Sequence, residues 1–226
     1  MNRLKKTAII IERLRKQYPV LKCALQFHNP FELLVATILS AQSTDLQVNK
    51  LTGTLFQKYR SIKAYAEADP LQFRNDVRSV NFFNNKARNI QSTAALVLEK
   101  FGGNVPQTME ELIQLPGVAR KTANIVLYNA FGIVDGIAVD THVKRLANRL
   151  GLTDYDDPVK IEKDLMAITP KVYWGDLTHM LIEHGRAVCR ARNPEHGSCV
   201  LADICSSWDS WGIETTIKSG ESVLMV

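Results

Sequence analysis

The sequence lacks any long apolar run. The apolar run near its start, in TAIIIERLRK, is broken by Glu12 and Arg13. A membrane-spanning helix needs about 20 apolar residues in succession, so no transmembrane segment is predicted. The same run is too short for the apolar region of a secretion signal, and no small-residue cleavage site accompanies it. We therefore expect a cytoplasmic protein with no membrane contact.

Cysteine is scarce and unevenly distributed. The chain has 4 cysteines in 226 residues, and three of them lie in CRARNPEHGSCVLADIC. In a reducing cytoplasm we do not expect a disulfide framework, so the grouped cysteines need another explanation. Cys189, His196, Cys199 and Cys205 are separated by six, two and five residues. This set could ligate an iron–sulfur cluster or a zinc ion, or it could contain three buried thiols without a metal.

Sustained alternation of apolar and polar residues, which is typical of strands, is also missing. Helix signals replace it. Asn29 and Pro30 predict the start of one helix, Gly102 and Gly103 predict the end of another, and Thr108 with Glu111 forms a capping box. The sequence predicts an all-α protein of roughly ten short helices, without a solenoid repeat.

Charge of either sign is not in large excess. The net charge is +5 with a pI near 9.0, and charged residues make up 23% of the chain. A mildly basic protein is compatible with a polyanionic partner, but the charge alone does not show one. Residues 209–226 mix Ser, Gly and Thr with scattered apolar residues, and we expect them to form a loosely ordered C-terminal extension.

The segment LPGVARKTANIVLYNAFG, residues 115–132, predicts a tight turn directly before a helix. The backbone N–H groups at such a helix start suit a phosphate group. Lys121 falls in the first turn of this helix, which is the electrostatically unfavourable end for a cation. It is either a solvated surface lysine or an amine whose pKa is lowered, and which is therefore able to form a Schiff base.

The segment AVDTHVKRLANRLGL predicts a second helix that Asp140 or Thr141 caps and Gly151 ends. From the residues alone, a capping role for Asp140 is favoured over a catalytic one. Its position therefore does not by itself indicate chemistry.

Taken together, these two segments resemble the helix-hairpin-helix and Gly/Pro–Asp signature of the endonuclease III family of DNA glycosylases. LLVATILSAQSTDLQVNK and SVNFFNNKARNI resemble further parts of that family, so the likeness runs from about Asn29 to Cys205. The resemblance implies an all-α, two-lobed helix-hairpin-helix DNA glycosylase fold. It places a helical barrel at residues 22–133 and a metal-cluster lobe at residues 1–21 and 134–208.

The resemblance also implies a bifunctional DNA glycosylase with AP lyase activity. Such an enzyme acts as a nucleoid-associated monomer on double-stranded DNA that contains oxidised pyrimidines or abasic sites. In the family, the lysine at the position of Lys121 attacks C1′ of the damaged nucleotide, and the aspartate at the position of Asp140 assists it. Two alternatives remain: a glycosylase for mismatched or deaminated bases, and a DNA-binding module without chemistry.

Several DNA contacts are implied by the same resemblance. Gln42, together with Phe82 or Val80, is expected to fill the gap left by an extruded nucleotide. The remaining expected contacts lie in the hairpin and in the cysteine segment: Leu115, Gly117, Ala119, Arg120, Arg190 and Arg192. The family usually has Gly at the position of Ala119 and often at that of Asn81. We expect phosphate binding to survive the first change, and Asn81 to tolerate a left-handed conformation.

In the family, four cysteines at the spacing of Cys189, His196, Cys199 and Cys205 bind a 4Fe–4S cluster. Here His196 replaces the second cysteine. We expect a 4Fe–4S cluster held by these four residues, with a zinc site or no metal as the alternatives. Because base excision needs no electron transfer, the expected role of the cluster is to hold a DNA-binding loop in place.

Overall fold

The computed structural model describes residues 1–208, and the predicted C-terminal extension lies outside them. All the regular elements in this part of the chain are helices, which confirms the predicted all-α class. The α-helices are α1 (Arg3–Gln17), α2 (Pro30–Ser40), α3 (Asp45–Lys58), α4 (Ile62–Ala66), α5 (Pro70–Asp76), α6 (Phe83–Phe101), α7 (Met109–Leu112), α8 (Arg120–Phe131), α9 (Thr141–Arg149), α10 (Pro158–Ile168) and α11 (Trp174–Ala187). A 3₁₀ turn at Lys171–Tyr173 lies between α10 and α11, and two more follow α11, at His196–Ser198 and Ala202–Ile204.

The chain forms two compact units. One consists of Lys22–Ala138 and contains α2 to α8, and the other joins Met1–Leu21 to the described residues from Val139 to 208. We call them the central unit and the terminal unit. None of the helices in residues 1–208 is long and apolar enough to cross a membrane.

Helix boundaries follow the predicted capping residues. Asn29 Oδ1 accepts a hydrogen bond from Glu32 N at 2.9 Å, with Pro30 in the first turn of α2. Thr108 Oγ1 accepts from Glu111 N at 3.3 Å at the start of α7. At the C-terminal end of α6, Gly102 is left-handed with φ 58°. These local bonds satisfy backbone groups that a helix end leaves unpaired, so short-range sequence signals set the boundaries.

The central unit has one hydrophobic core. In it, α2 packs against α6 and α8, and α4 packs against α6. Leu34, Ile90 and Leu127 are fully buried in it. An aromatic cluster lies at one end of this core, where Tyr65 contacts Phe31 and Phe73 edge to face at centroid distances of 5.3 and 5.7 Å. Burial of a large apolar side chain contributes about 1.5–3 kcal/mol, so the buried Leu127 holds α8 in the unit.

In the terminal unit, α9 and α11 pack against each other, and α1 packs against α10 and α11. Gly185 on α11 has no room for a side chain, because an added Cβ would lie 2.9 Å from His142 Nδ1. The ammonium of Lys6 donates to Leu150 O at 2.8 Å and to Ser206 Oγ at 2.7 Å. It thereby joins α1 to the residues that follow α9 and to those that follow Cys205.

Candidate active site and metal centre

The hairpin between α7 and α8 is anchored on α6. Val118 N donates to Leu115 O at 3.1 Å within the turn, and Thr93 Oγ1 on α6 donates to Pro116 O at 2.9 Å. Gly117 has φ 79°, and a Cβ at this position would lie 2.8 Å from Asn89 Nδ2. Both the left-handed backbone and the close approach of α6 therefore require glycine here.

Ala119 is the N-cap residue of α8. Its backbone is extended, with φ −96° and ψ 170°, so alanine fits without the strain that a left-handed conformation would impose. No side chain caps α8, in contrast to α2, α7 and α9. The first turn of α8 therefore presents backbone donors and a positive dipole end that suit an anionic group.

Lys121 lies in the first turn of α8, as predicted, and its side chain is exposed. The buried residues Ala123, Val126 and Leu127 lie further along the same helix and hold it in the core of the central unit. The backbone of Lys121 is thus fixed by packing, while its amine remains accessible to a macromolecular substrate.

Asp140 caps α9 in the terminal unit. Its Oδ1 accepts hydrogen bonds from His142 N and Val143 N, both at 2.8 Å, and the side chain is half-buried. Asp140 rather than Thr141 is therefore the cap. Both capping bonds go to the same oxygen, so the geometry leaves Oδ2 out of the cap. A carboxylate held in this way can cap a helix and also stabilise positive charge on a neighbouring group.

One candidate DNA contact is corrected by the structure. Val80 is only 2% exposed and lies in the core, whereas Phe82 is 62% exposed, so Phe82 is the residue available to insert into DNA. The side chain of Leu115 is 2% exposed and belongs to the core, so only its backbone is available for a DNA contact. Gln42, Gly117 and Ala119 are exposed, as a contact surface requires.

A left-handed conformation was expected at Asn81. In the structure it occurs instead at the next residue, Phe82, with φ 56°. Gln42 is left-handed as well, with φ 55°. Both exposed candidates for insertion therefore have a backbone conformation that is rare for residues other than glycine, which is typical of functional sites.

Sequence reasoning missed Lys86, which is buried in the central unit. Its ammonium donates to Leu39 O at 2.7 Å, Ala41 O at 2.6 Å and Ser43 Oγ at 3.2 Å. Burial lowers the pKa of Lys86. A signal was present in the sequence, because Lys86 lies four residues before Ile90 and therefore falls on the apolar stripe of α6.

Cys189, His196, Cys199 and Cys205 all line one cavity of about 30 Å³ in the terminal unit. No three His, Cys, Asp or Glu side chains within residues 1–208 are close enough to hold a single metal ion. Three thiols and an imidazole are soft donors that suit iron or zinc. The four residues therefore line one cavity with a donor set that either an iron–sulfur cluster or a zinc ion can use.

Burial and neighbouring polar groups set the electrostatic environment of the sulfur atoms. Burial raises the pKa of Cys199 and of Cys205, so each thiolate needs positive charge nearby. Arg149 Nη1 donates to Cys189 Sγ at 3.3 Å. His184 Nε2 lies 3.5 Å from Cys199 Sγ, and burial lowers the pKa of His184 to about 4, so its ring is neutral at pH 7. The ring of His196 lies against Trp208, with centroids 4.9 Å apart.

The loop between Cys189 and His196 is held by Arg149, the last residue of α9. Its guanidinium donates to Arg190 O at 2.7 Å and to Ala191 O at 3.2 Å. The side chain of Arg190 forms an ion pair with Glu195 at 3.3 Å, and Arg192 is exposed. This loop therefore presents basic side chains on a backbone that is fixed to the helix beginning after Asp140.

Known proteins match the chain over most of its length. Residues 35–171 match the family described as HhH-GPD superfamily base excision DNA repair protein. Residues 189–205 match the iron-sulfur binding domain of endonuclease III, so the segment with His196 is recognisable as that domain.

Relatives named endonuclease III are similar over nearly the whole chain. The Synechocystis sp. protein is 54% identical over 194 residues, which is 86% of this chain and 89% of that protein. The Bacillus subtilis protein is 43% identical over 206 residues, which is 91% of this chain and 94% of that protein.

Solved structures show the same fold. An endonuclease III trapped as a covalent intermediate with DNA is 42% identical, with a TM-score of 0.89 over 94% of this chain and 99% of that chain. A thermostable thymine-DNA glycosylase, 21% identical with a TM-score of 0.79, shares the fold. The helical architecture, the hairpin that presents Lys121 and these similarities together place the chain in the endonuclease III family of the HhH-GPD superfamily of base excision DNA repair proteins.

Proposed function

We propose that the protein is a bifunctional DNA glycosylase and AP lyase, which removes oxidised pyrimidines from double-stranded DNA and nicks the strand at the resulting abasic site. It works as a monomer on chromosomal DNA. The observation that carries this proposal is Lys121, an exposed amine in the first turn of α8, next to a hairpin end suited to a phosphate. A relative trapped as a covalent intermediate with DNA supports it.

The chemistry follows from an amine nucleophile. Lys121 Nζ forms a bond to C1′ of the damaged nucleotide, and the bond from C1′ to the base breaks, so that the base leaves with the electron pair. Opening of the sugar gives an imine between Nζ and C1′. Loss of a proton from C2′ then expels the 3′ phosphate by β-elimination, which nicks the strand. Hydrolysis of the imine returns the free amine.

Asp140 is assigned to charge stabilisation. As the base departs, positive charge develops on the sugar, and a fixed carboxylate offsets it. The capping bonds from His142 N and Val143 N keep that carboxylate in one orientation. Because the damaged base cannot react inside the stack, the nucleotide must first be extruded, and Gln42 and Phe82 are assigned to the space it leaves.

Reductive trapping tests the assignment of Lys121. With borohydride, the wild-type protein is expected to form a stable cross-link to a duplex containing thymine glycol, and without borohydride it nicks the strand. Lys121→Ala should abolish both while retaining most DNA binding. Lys100→Ala, an exposed lysine on α6, is the matched control and should behave as wild type.

The result of this experiment also separates the alternatives. Unchanged nicking by Lys121→Ala would refute the proposed nucleophile. A wild-type protein that binds the duplex but neither nicks nor cross-links it would be a binding module without chemistry. A panel of duplexes with oxidised, deaminated or mismatched bases identifies the lesion class, because only the preferred base is released at a high rate.

We further propose that Cys189, His196, Cys199 and Cys205 hold a 4Fe–4S cluster. When bound, such a cluster fixes the loop that carries Arg190 and Arg192, and it supplies no electrons to the excision reaction. Anaerobic purification followed by iron, sulfide and zinc analysis tests the proposal. About four irons and four sulfides per chain are expected for this cluster type. Zinc without sulfide, or no metal, would overturn it.

A further inference from the structure

The two exposed residues assigned to the extrusion gap belong to two different loops. Gln42 lies between α2 and α3, and Phe82 directly precedes α6. Of the described residues other than glycine, only Gln42, Phe82 and Asn193 have positive φ. A bulky residue such as phenylalanine in this region carries backbone strain, which persists only where surrounding contacts hold it in place.

Lys86 contacts both loops. Its side-chain ammonium donates to Ala41 O and Ser43 Oγ, on either side of Gln42, and to Leu39 O. An ammonium has three N–H donors, so these three acceptors use its full capacity. The backbone N–H of Lys86 donates to Phe82 O at 3.1 Å as the first hydrogen bond of α6. One residue is thus bonded to the left-handed turn of Phe82 through its backbone and to that of Gln42 through its side chain.

A second set of bonds joins the same loops. Asn81 Nδ2 donates to Gln42 O at 2.6 Å, and Asn81 N donates to Ser43 Oγ at 3.3 Å. Gln47 Nε2 also donates to Ser79 O. The two loops are therefore cross-linked on both sides of the residues that they present, and all of these contacts lie within the central unit.

We propose that Lys86 is a positioning residue for nucleotide extrusion: its buried ammonium holds Gln42 and Phe82 in the conformation that enters the DNA duplex. The inference rests on the proposed function. It predicts that Lys86 matters for pulling a nucleotide out of a duplex and not for the chemistry of Lys121. A lysine that merely stabilised the end of α2 would affect all substrates equally.

The experiment compares two substrates under single-turnover conditions. One is a duplex with thymine glycol, which requires extrusion. The other is a single-stranded oligonucleotide with an abasic site, which offers C1′ without a duplex to open. For Lys86→Met, excision from the duplex is expected to fall about tenfold, in line with the release of one strained turn, whereas nicking of the single strand should change by less than about twofold.

Controls separate positioning from folding. Lys100→Met, on the exposed face of the same helix, should leave both rates unchanged. If Lys86→Met does not fold, Asn81→Ala replaces it, because Asn81 is exposed and loses only the bond to Gln42 O. Lys86→Arg, which keeps the charge and the donors, should recover part of the duplex activity. With 2-aminopurine beside the lesion, the fluorescence rise that reports unstacking should be reduced in Lys86→Met but not in Lys100→Met.

Each outcome has a distinct meaning. Equal losses on both substrates, or no loss on either, would overturn the positioning role of Lys86. A normal fluorescence rise with slow excision would also overturn it, because extrusion would then be intact. Failure of the wild-type protein to nick either substrate would refute the proposed function instead.

Discussion

The starts of α8 and α9 solve the same physical problem in opposite ways. Both helices follow an N-cap residue with an extended backbone, Ala119 for α8 and Asp140 for α9. At α9 the carboxylate accepts two backbone N–H bonds, so the donors of the first turn are satisfied within the chain. At α8 no side chain does so, and the first turn instead carries a cation, Lys121.

This difference indicates where an external anion is expected. A helix start with a carboxylate cap is locally stable and repels phosphate, whereas one without a cap and with a nearby cation gives up local stability for binding. A missing cap in a chain that caps most of its other helices is thus as informative as the capping carboxylate. Exchanging these features between the two helix starts tests the comparison directly.

The largest effect is expected for Asp140→Asn. Asparagine is as good an N-cap as aspartate, so α9 and the overall stability should be retained. The negative charge is lost, and base excision in single turnover should fall about 10²–10³-fold, as for the removal of one group that stabilises transition-state charge. Rates of thymine glycol release and thermal unfolding, measured on the same preparations, check both parts.

Asp140→Ala is the companion variant. It should lose the activity to a similar extent and, in addition, about 1 kcal/mol of stability because the cap is removed. Near-wild-type excision by Asp140→Asn would mean that the residue is only a cap.

A smaller effect is expected for Gly117→Ala in the hairpin. The left-handed backbone and the close Asn89 side chain both oppose a Cβ, so stability should fall by about 1–2 kcal/mol from the backbone alone. DNA affinity should fall with it, because the turn before α8 shifts. Adding Asn89→Ala to Gly117→Ala should restore only the stability that is lost to the clash with the Asn89 side chain. Unchanged chemical unfolding of Gly117→Ala would show that the turn adapts.

Ala119→Asp would turn the start of α8 into one that resembles the start of α9. The extended backbone at Ala119 accommodates a cap, so stability should rise by about 1 kcal/mol. DNA binding should weaken about tenfold, since the new carboxylate occupies the donors and repels the phosphate. Ala119→Ser caps without charge and should weaken binding less. DNA-binding titrations at fixed salt measure these affinities. If Ala119→Asp bound DNA as tightly as the wild type, the phosphate would not bind at the start of α8.

Local features of this fold could be read from the sequence, because capping is a short-range interaction. Asn29 and Thr108 are the predicted caps of α2 and α7, and of the two candidates for α9, Asp140 and Thr141, Asp140 is the cap. Whether Val80 or Phe82 is exposed could not be read in this way. The choice depends on how the loop before α6 leaves the core, and that path is fixed by contacts with a loop some 40 residues earlier in the chain.

Lys86 and the cysteine segment illustrate the same limit. The sequence shows a lysine on an apolar stripe, but its acceptors, Leu39 O and Ala41 O, are backbone atoms that carry no sequence signature. The spacing of the candidate ligands predicts a metal site. Only the fold shows that Arg149 donates to Cys189 Sγ and that His196 lies against Trp208.

The smallest effect is expected for Ala119→Gly, which introduces the residue that the family resemblance implies at this position. Since φ is −96° at this position, glycine relieves no backbone strain, but glycine is a better N-cap than alanine. Stability should therefore rise by about 0.5 kcal/mol, and DNA affinity should change by less than about twofold. Gly117→Ala, two residues earlier in the same turn, is the matched comparison. Both variants are measured by the same unfolding and binding assays. If Ala119→Gly instead raised the affinity markedly, the first turn of α8 would have to rearrange on binding DNA, and its extended N-cap would belong to the free protein alone.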